Sequence, residues 1–224
     1  MDHLIFSPAA NGHQTGRVSR ISSLHHPTTL AFRVAYARNA IDEEQCRQLI
    51  SELSQIPSKV QKCVDDQTQY QKVASKLISA DSLLYIGRGL DYALSMEGSL
   101  KLKEISYIHS ESYAAGELKH GTISLIEDGM PVIAVATQHD LYEKTMSNIK
   151  EVKTRGATVV MVCSEDMKFD GNDVDYPVML PLARDLLMPL VAVVPLQLIA
   201  YYTAALKNFD VDHPRNLAKS VTVE

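Results

Sequence analysis

The chain has 224 residues, of which 46% are hydrophobic and 22% are charged, and its formal net charge is −5. This length and composition are typical of one sizeable α/β domain, and the acidic balance excludes a nucleic-acid or anionic-membrane surface as its main partner. The three cysteines, Cys46, Cys63 and Cys163, form no CxxC pair. We therefore expect reduced thiols in a cytoplasmic protein, without a disulfide framework or a metal site.

The N-terminal part divides into an irregular stretch and a helical segment. Residues 1–28 show neither helical nor strand periodicity and lack the long apolar run of a signal peptide, so an irregular extension is predicted. Residues 29–80 carry helical patterns. Within them Asp42 is predicted to cap a helix through Gln45, and Pro57 is predicted to end that helix.

From residue 81 to residue 210, short apolar strands alternate with helical patterns. The predicted strands are Leu83–Ile86, Pro131–Ala136, Thr158–Cys163 and Asp175–Leu180, and the predicted helices are Asp91–Ile108, Leu141–Arg155 and Leu186–Leu206. This alternation predicts an α/β fold in which helices cover both faces of a mostly parallel sheet. Ligands of such sheets bind at the carboxyl ends of strands, so the loop Gly87-Arg88-Gly89 is a candidate wall of a site.

The stretch Leu186–Leu206 contains no charged residue and is long enough to span a membrane. Two prolines and Gln197 interrupt it, and no second stretch of this kind accompanies it. We therefore expect a helix buried in the core or in a subunit interface, and no membrane association.

The predicted helix Asp91–Ile108 carries charges within its apolar arc. A helical wheel places Glu97, Lys101 and Glu104 on the same side as Met96 and Leu100, with serines opposite. This pattern predicts that three ionisable groups lie on the buried face, where unpaired charges are costly. Two explanations stay open: a structural ion pair of Glu97 with Lys101, or a polar pocket that moves protons.

The next thirteen residues, His109–Gly121, combine histidines, carboxylates and glycines, and we predict a loop there. His120 is a candidate acid or base because a histidine exchanges protons near neutral pH. A purely structural histidine is the alternative interpretation.

Two long stretches resemble a known family. MEGSLKLKEISYIHSESYAAGELKHG (Met96–Gly121) and DHPRNLAKSVTVE (Asp212–Glu224) are similar to the isomerase part of the glutamine:fructose-6-phosphate amidotransferases. The resemblance implies a flavodoxin-like sugar-isomerase (SIS) domain at 81–210, the second of two in the family. A helical segment precedes it, and an active-site tail follows from residue 211. It also implies fructose 6-phosphate as substrate, glucosamine 6-phosphate as product and no cofactor.

The resemblance also implies roles for the residues of the charged helix. Glu104 resembles the carboxylate that moves a proton between C1 and C2 of the sugar, and Lys101 resembles the lysine that assists deprotonation. Glu97 resembles a supporting charge in the same motif.

The other implied site residues lie downstream. His120 resembles a histidine that opens the sugar ring in the site of a neighbouring subunit, which implies a homodimer. Lys219 resembles a tail lysine that forms an imine with the open-chain ketose, and Ala218 lies beside it among the substrate-binding residues.

Two parts of the family's enzyme are absent from the sequence. There is neither an N-terminal cysteine glutaminase domain, which would supply ammonia, nor a phosphate loop of the S-Q-S-G-x-T type. We therefore expect a truncated chain with little activity alone. A non-catalytic SIS domain, which binds a phosphosugar or serves for dimerisation, is the alternative.

Overall fold

A computed structural model describes residues 21–215, with side chains from residue 27. Within residues 21–215, six α-helices and five β-strands follow one another in the order α1 (Ile21–Ala37), α2 (Glu43–Asp65), α3 (Gln67–Leu77), β1 (Ser82–Gly87), α4 (Leu90–Ser106), β2 (His109–Ala114), β3 (Pro131–Ala136), α5 (Tyr142–Lys153), β4 (Thr158–Ser164), β5 (Tyr176–Leu180) and α6 (Met188–Leu206). Short 3₁₀ helices cover Ala115–His120, Thr122–Leu125 and His139–Leu141. The division into 1–28, 29–80, 81–210 and 211–224 stays a prediction.

The five strands form one parallel sheet in the order β2-β1-β3-β4-β5. The four predicted strands are confirmed, whereas the prediction of a loop over His109–Gly121 is wrong for its first half, which forms β2. Strand β2 is rich in serine and charge because it lies at the edge of the sheet and, among the described residues, pairs with β1 alone. Its sequence therefore lacks the apolar run of a central parallel strand.

Helices cover both faces of the sheet, as predicted. One face packs against α3, α4 and α6, with α2 outside them, and the other packs against α5 and the first 3₁₀ helix. Alternate residues of β1 point to the two cores: Leu83 and Tyr85 to the first, Leu84 and Ile86 to the second.

The long apolar helix α6 lies at the centre of the first core. It packs against α4, α3 and α2, and most of its side chains are buried within the chain. By length and composition it is the one helix among the described residues that could cross a membrane, but a buried core helix passes the same test. The sequence predicts a helix buried in the core or in a subunit interface, and the first of these two alternatives is confirmed.

Helix α2 begins as predicted but does not end at Pro57. The Asp42 carboxylate accepts the N–H of Gln45 at 2.7 Å, and the Gln45 side chain accepts the N–H of Asp42 at 2.9 Å. A proline inside a helix costs about 3 kcal/mol. Burial of Val60 and Cys63 on the same face as the earlier apolar residues returns about 1.5–3 kcal/mol for each large side chain, so the helix continues to Asp65.

Helix α1 begins at Ile21, inside the stretch predicted to be irregular. The prediction is therefore wrong for residues 21–28, and residues 1–20 lie outside the described part. Phe32 on α1 is buried in the first core together with Cys46 of α2. This tertiary contact outweighs the weak periodicity of the segment.

Helix α4 turns a different face inward from the one its wheel predicts. Its buried residues are Asp91, Leu94, Ser95, Gly98, Ser99, Leu102 and Ser106, so Glu97, Lys101 and Glu104 are not on the buried face. Ser99 can turn inward because its hydroxyl donates to the backbone oxygen of Ser110 at 3.0 Å. Gly98 permits the close contact, since a Cβ there would lie 2.9 Å from the Tyr85 ring and 3.2 Å from Leu196.

We expect Gly98→Val to destabilise the fold. The added atoms meet the fully buried Tyr85, and overpacking of this kind costs about 1–3 kcal/mol. Urea unfolding measures the change, and Ala93→Val on the exposed face of α4 controls for the helix propensity of valine. Equal stability losses in the two variants would contradict the close contact.

Candidate active site

Three charged side chains form a row along the outer face of α4. The Lys101 ammonium lies 3.0 Å from Oε2 of Glu104 and 3.7 Å from Oε1 of Glu97. The side chains of Glu97, Lys101 and Glu104 are 37%, 24% and 21% exposed. One lysine thus bridges two carboxylates on a rigid helix, at a surface that solvent reaches.

Apolar side chains flank this row. Met96 is 46% exposed and Leu100 is 45% exposed, and Leu90 at the start of α4 is also exposed. An exposed apolar strip beside a charged row is typical of a surface that another protein surface covers. Two grooves of about 340 Å³ lie elsewhere, and neither is lined by residues of the row.

The Gly87–Gly89 turn starts α4 at the opposite end of the helix from Glu104. Glu104 follows Leu90 by fourteen positions, so the two residues lie roughly 21 Å apart along the helix axis. A Cβ on Gly87 would lie 2.5 Å from the Asp91 backbone, so glycine is required to make the turn. That this turn binds substrate stays a prediction.

Arg88 is engaged by neighbouring elements. Its guanidinium donates to Oδ1 of Asn148 at 2.9 and 3.1 Å, and a Cβ on Gly116 would lie 2.9 Å from its Nη2. Arg88 therefore ties the β1–α4 turn to α5 and to the first 3₁₀ helix, which gives this candidate binding residue a structural role.

His120 lies on the other side of the sheet from the charged row. The 3₁₀ helix that it ends packs Ala115 and Leu118 into the second core, whereas α4 packs into the first. The imidazole is mostly exposed, with Glu117 at 3.8 Å. The structure therefore does not bring His120 and Glu104 together within one chain. The other two candidates, Ala218 and Lys219, lie outside the described residues.

Asp91 was not identified from the sequence and occupies the point where the strand order reverses. It is 1% exposed, and its carboxylate accepts the N–H and the hydroxyl of Thr137 at 2.7 and 2.6 Å and the N–H of Gln138 at 3.2 Å. Burial raises the pKa of this carboxyl even though three hydrogen bonds favour its charged form. Ligands of parallel sheets bind at this switch point. Here the backbone N–H groups of Thr137 and Gln138 donate to the Asp91 carboxylate of the chain itself.

A second cluster, also unrecognised from the sequence, lies next to Asp91. The His139 ring contacts Asp185 through Nδ1 at 2.5 Å and Asp166 through Nε2 at 2.9 Å. The backbone N–H of His139 also donates to Asp185, at 2.8 Å. Hydrogen bonds to Asp166 and Asp185 raise the pKa of His139. The cluster joins the loops that follow β3, β4 and β5.

The five-stranded parallel sheet with helices on both faces is the architecture of a sugar-isomerase (SIS) domain. The model of the SIS domain family matches residues 76–207, which is more than half of the chain, and the chain belongs to this family. Among curated proteins it is 50% identical over 195 residues to a glutamine–fructose-6-phosphate aminotransferase (isomerizing) of Clostridium tetani and 53% identical over 196 residues to one of Caldanaerobacter subterraneus. It covers 32% of each, about a third of their length, while 87% of this chain is matched.

Solved structures agree with this placement. The C-terminal domain of a glucosamine-fructose-6-phosphate aminotransferase from Francisella tularensis superimposes with a TM-score of 0.76 at 34% identity, covering 83% of this chain and 52% of that one. A glucosamine-6-phosphate deaminase from Thermotoga maritima, at 23% identity and a TM-score of 0.63, shows the fold alone. The resemblance and the fold class stated from the sequence are confirmed.

The His139 cluster predicts a pH-dependent stability. A histidine with a raised pKa in the folded state stabilises the fold fully below its unfolded pKa of about 6.5 and loses that contribution as the pH rises through the folded value. The wild-type free energy of unfolding should therefore fall over this range, and it should fall less in His139→Gln.

Chemical unfolding across the pH series provides the measurement. His109→Gln is the matched control, because His109 is exposed and has one carboxylate, Glu111, at 3.6 Å. Parallel stability curves for wild type and His139→Gln would refute the role of the cluster.

Proposed function

We propose that this chain is the isomerase part of a glutamine:fructose-6-phosphate amidotransferase and converts fructose 6-phosphate to glucosamine 6-phosphate with ammonia supplied from elsewhere. The observation that carries the proposal is the row on α4, in which Lys101 lies between Glu97 and Glu104. The names of the relatives and of the Francisella tularensis structure support it.

The residue types suit the chemistry. The Lys219 amine attacks C2 of the open-chain ketose and water leaves, which forms an imine and makes the C1 protons more acidic. Ammonia then displaces the lysine from C2. The Glu104 carboxylate takes a proton from C1 and returns one to C2, and a rigid helix holds it in reach of both carbons. The Lys101 ammonium, next to Glu104, stabilises the negative charge that develops on the sugar as C1 loses its proton.

The site in this proposal is completed by a second copy of the chain. His120 and Glu104 of one chain lie on opposite faces of the sheet, so His120 would open the sugar ring in the site of the partner. The exposed Met96 and Leu100 beside the charged row support an interface at α4.

The phosphate group of the substrate requires a separate binding surface. The amides of Thr137, Gln138 and His139 face the switch point, but all three donate to Asp91 or Asp185. Since these donors are satisfied within the chain, we infer that the phosphate does not bind there.

A cytoplasmic location accords with this function. The three cysteines are free and buried. Burial raises the pKa of the Cys63 thiol to about 11 and that of Cys163 to about 12, so both thiols are unreactive at neutral pH.

A second candidate is a non-catalytic phosphosugar-binding or dimerisation module. The partial exposure of Glu97, Lys101 and Glu104 favours it, because a charged row at a surface is also a common structural feature. The two functions differ in whether an imine forms at Lys219.

Incubation with fructose 6-phosphate and borohydride should leave a reduced adduct on Lys219, identified by mass spectrometry. Lys219→Arg should abolish it, and the exposed Lys103→Arg should not. In Glu104→Gln the adduct should persist, while exchange of the C1 hydrogen with D₂O, followed by NMR, should fall about 10²–10⁴-fold because the base is lost. Binding of the sugar without adduct or exchange would favour the non-catalytic module.

The dimer is tested by sedimentation equilibrium. We expect wild type to dimerise and Leu100→Lys to shift it to the monomer, because the lysine places a charge within the apolar strip. Leu186→Lys, at another exposed leucine, is the control and should remain dimeric. A monomeric wild type, or a dimer that tolerates Leu100→Lys, argues against the α4 interface.

A further inference from the structure

The first 3₁₀ helix (Ala115–His120) carries a residue of the proposed site at its end and packs against α5. Ala115 and Leu118 are fully buried in the second core, which they share with Ile149 of α5. The His120 side chain, by contrast, is 75% exposed, so its position depends on the backbone that carries it. A 3₁₀ helix of this length has little stability of its own, and contacts with neighbouring elements therefore decide where His120 lies.

Two residues on one face of α5 hold the two ends of this 3₁₀ helix. Near its start, the Arg88 guanidinium donates to Asn148 at 2.9 and 3.1 Å, and Gly116 lies so close that a Cβ would be 2.9 Å from Nη2 of the arginine. Near its end, Nζ of Lys119 lies 2.7 Å from Oε1 of Glu151. Asn148 and Glu151 are three residues apart, which places them on the same face of α5.

The ion pair of Lys119 with Glu151 is partly withdrawn from solvent. The Glu151 side chain is 25% exposed, and its Oε2 is buried and accepts no hydrogen bond within the described part of the chain. The Arg155 guanidinium donates to the backbone oxygen of Glu151 at 2.6 Å. Fully exposed pairs contribute little, but a carboxylate with a buried oxygen depends more strongly on its cation. The pair therefore holds Lys119, the neighbour of His120, against α5.

The chain on the other side of His120 turns away through a glycine. Gly121 has a φ of 142°, and a Cβ at this position would have no atom within 4 Å. Its backbone oxygen accepts the hydroxyl of Ser124 at 2.7 Å, which is a contact within the same loop. This side thus provides a turn, and the link from His120 to a rigid helix runs through Lys119.

We propose that Lys119 and Glu151 are positioning residues for ring opening, because their ion pair fixes the end of the first 3₁₀ helix on α5 and so holds His120 where it reaches the sugar. The proposal rests on the proposed function, to which the role of His120 belongs. An acid or base acts only within hydrogen-bond reach of the proton it moves, and a displacement of about 1 Å can cost about 10²-fold in rate.

Backbone ¹⁵N relaxation tests the positioning without substrate. We expect the N–H order parameter of His120 to be about 0.85 in wild type and below about 0.6 in Lys119→Met, while that of the buried Leu118 stays unchanged. Lys119→Arg keeps the cation and should retain the wild-type value. Lys150→Met is the matched control, since it breaks another ion pair of α5, with Asp173 at 3.5 Å, and the two lysines are 58% and 59% exposed.

Exchange of the C1 hydrogen with D₂O separates ring opening from the later steps. With fructose 6-phosphate the exchange should fall about 10²-fold in Lys119→Met and in Glu151→Gln, because a displaced His120 opens the ring slowly. An analogue without the C5 hydroxyl cannot close a ring, so its exchange should be unchanged in both variants. Lys119→Arg should retain the exchange of fructose 6-phosphate, and a general structural defect would lower the exchange of both compounds.

The proposal is overturned by either of two results: equal order parameters for His120 in wild type and Lys119→Met, or an equal loss of exchange for fructose 6-phosphate and for the analogue. A wild type that exchanges neither compound would instead refute the proposed function alone, because the order parameters still decide whether the ion pair fixes His120.

Discussion

The close approach of α4 to the sheet and to α6 is the constraint on which the rest of the structure depends. Gly98 leaves room for the Tyr85 ring and for Leu196. The hydroxyl of the buried Ser99 donates to the backbone oxygen of Ser110 on the neighbouring strand β2. Because this small-residue face turns inward, the opposite face, with its glutamates and lysine, turns outward. The position of the candidate active site is thus a consequence of helix packing.

Helix α4 is fixed at both ends, by different chemistry. At its start the buried Asp91 binds the amides after β3, which fills the switch point and removes the donors that a phosphate would need. At its end Tyr107 binds the segment that follows α6. A helix restrained in this way can hold charged groups in place for proton transfer, and it brings two distant parts of the chain to one element.

Most of the fold follows from local patterns, and the exceptions have identifiable causes. Apolar runs and turn residues predict β1, β3, β4 and β5. Gly156, with a φ of 92°, marks the end of α5. Strand β2 was missed because it lies at the sheet edge and its Ser110 contacts Ser99 of α4. A strand in this position needs no apolar run. Pro57 did not end α2, since the burial of side chains beyond it outweighs one lost hydrogen bond.

The sequence by itself determined the family, the residue types of the candidate site and the parallel sheet, because these depend on motifs and on local periodicity. Only the tertiary structure decided which face of α4 is outward, that His120 and Glu104 of one chain lie on opposite faces, and that Arg88 contacts Asn148. A helical wheel ranks residues by hydropathy alone. Burial in this protein was decided by side-chain size and by hydrogen bonds between residues that are distant in the chain.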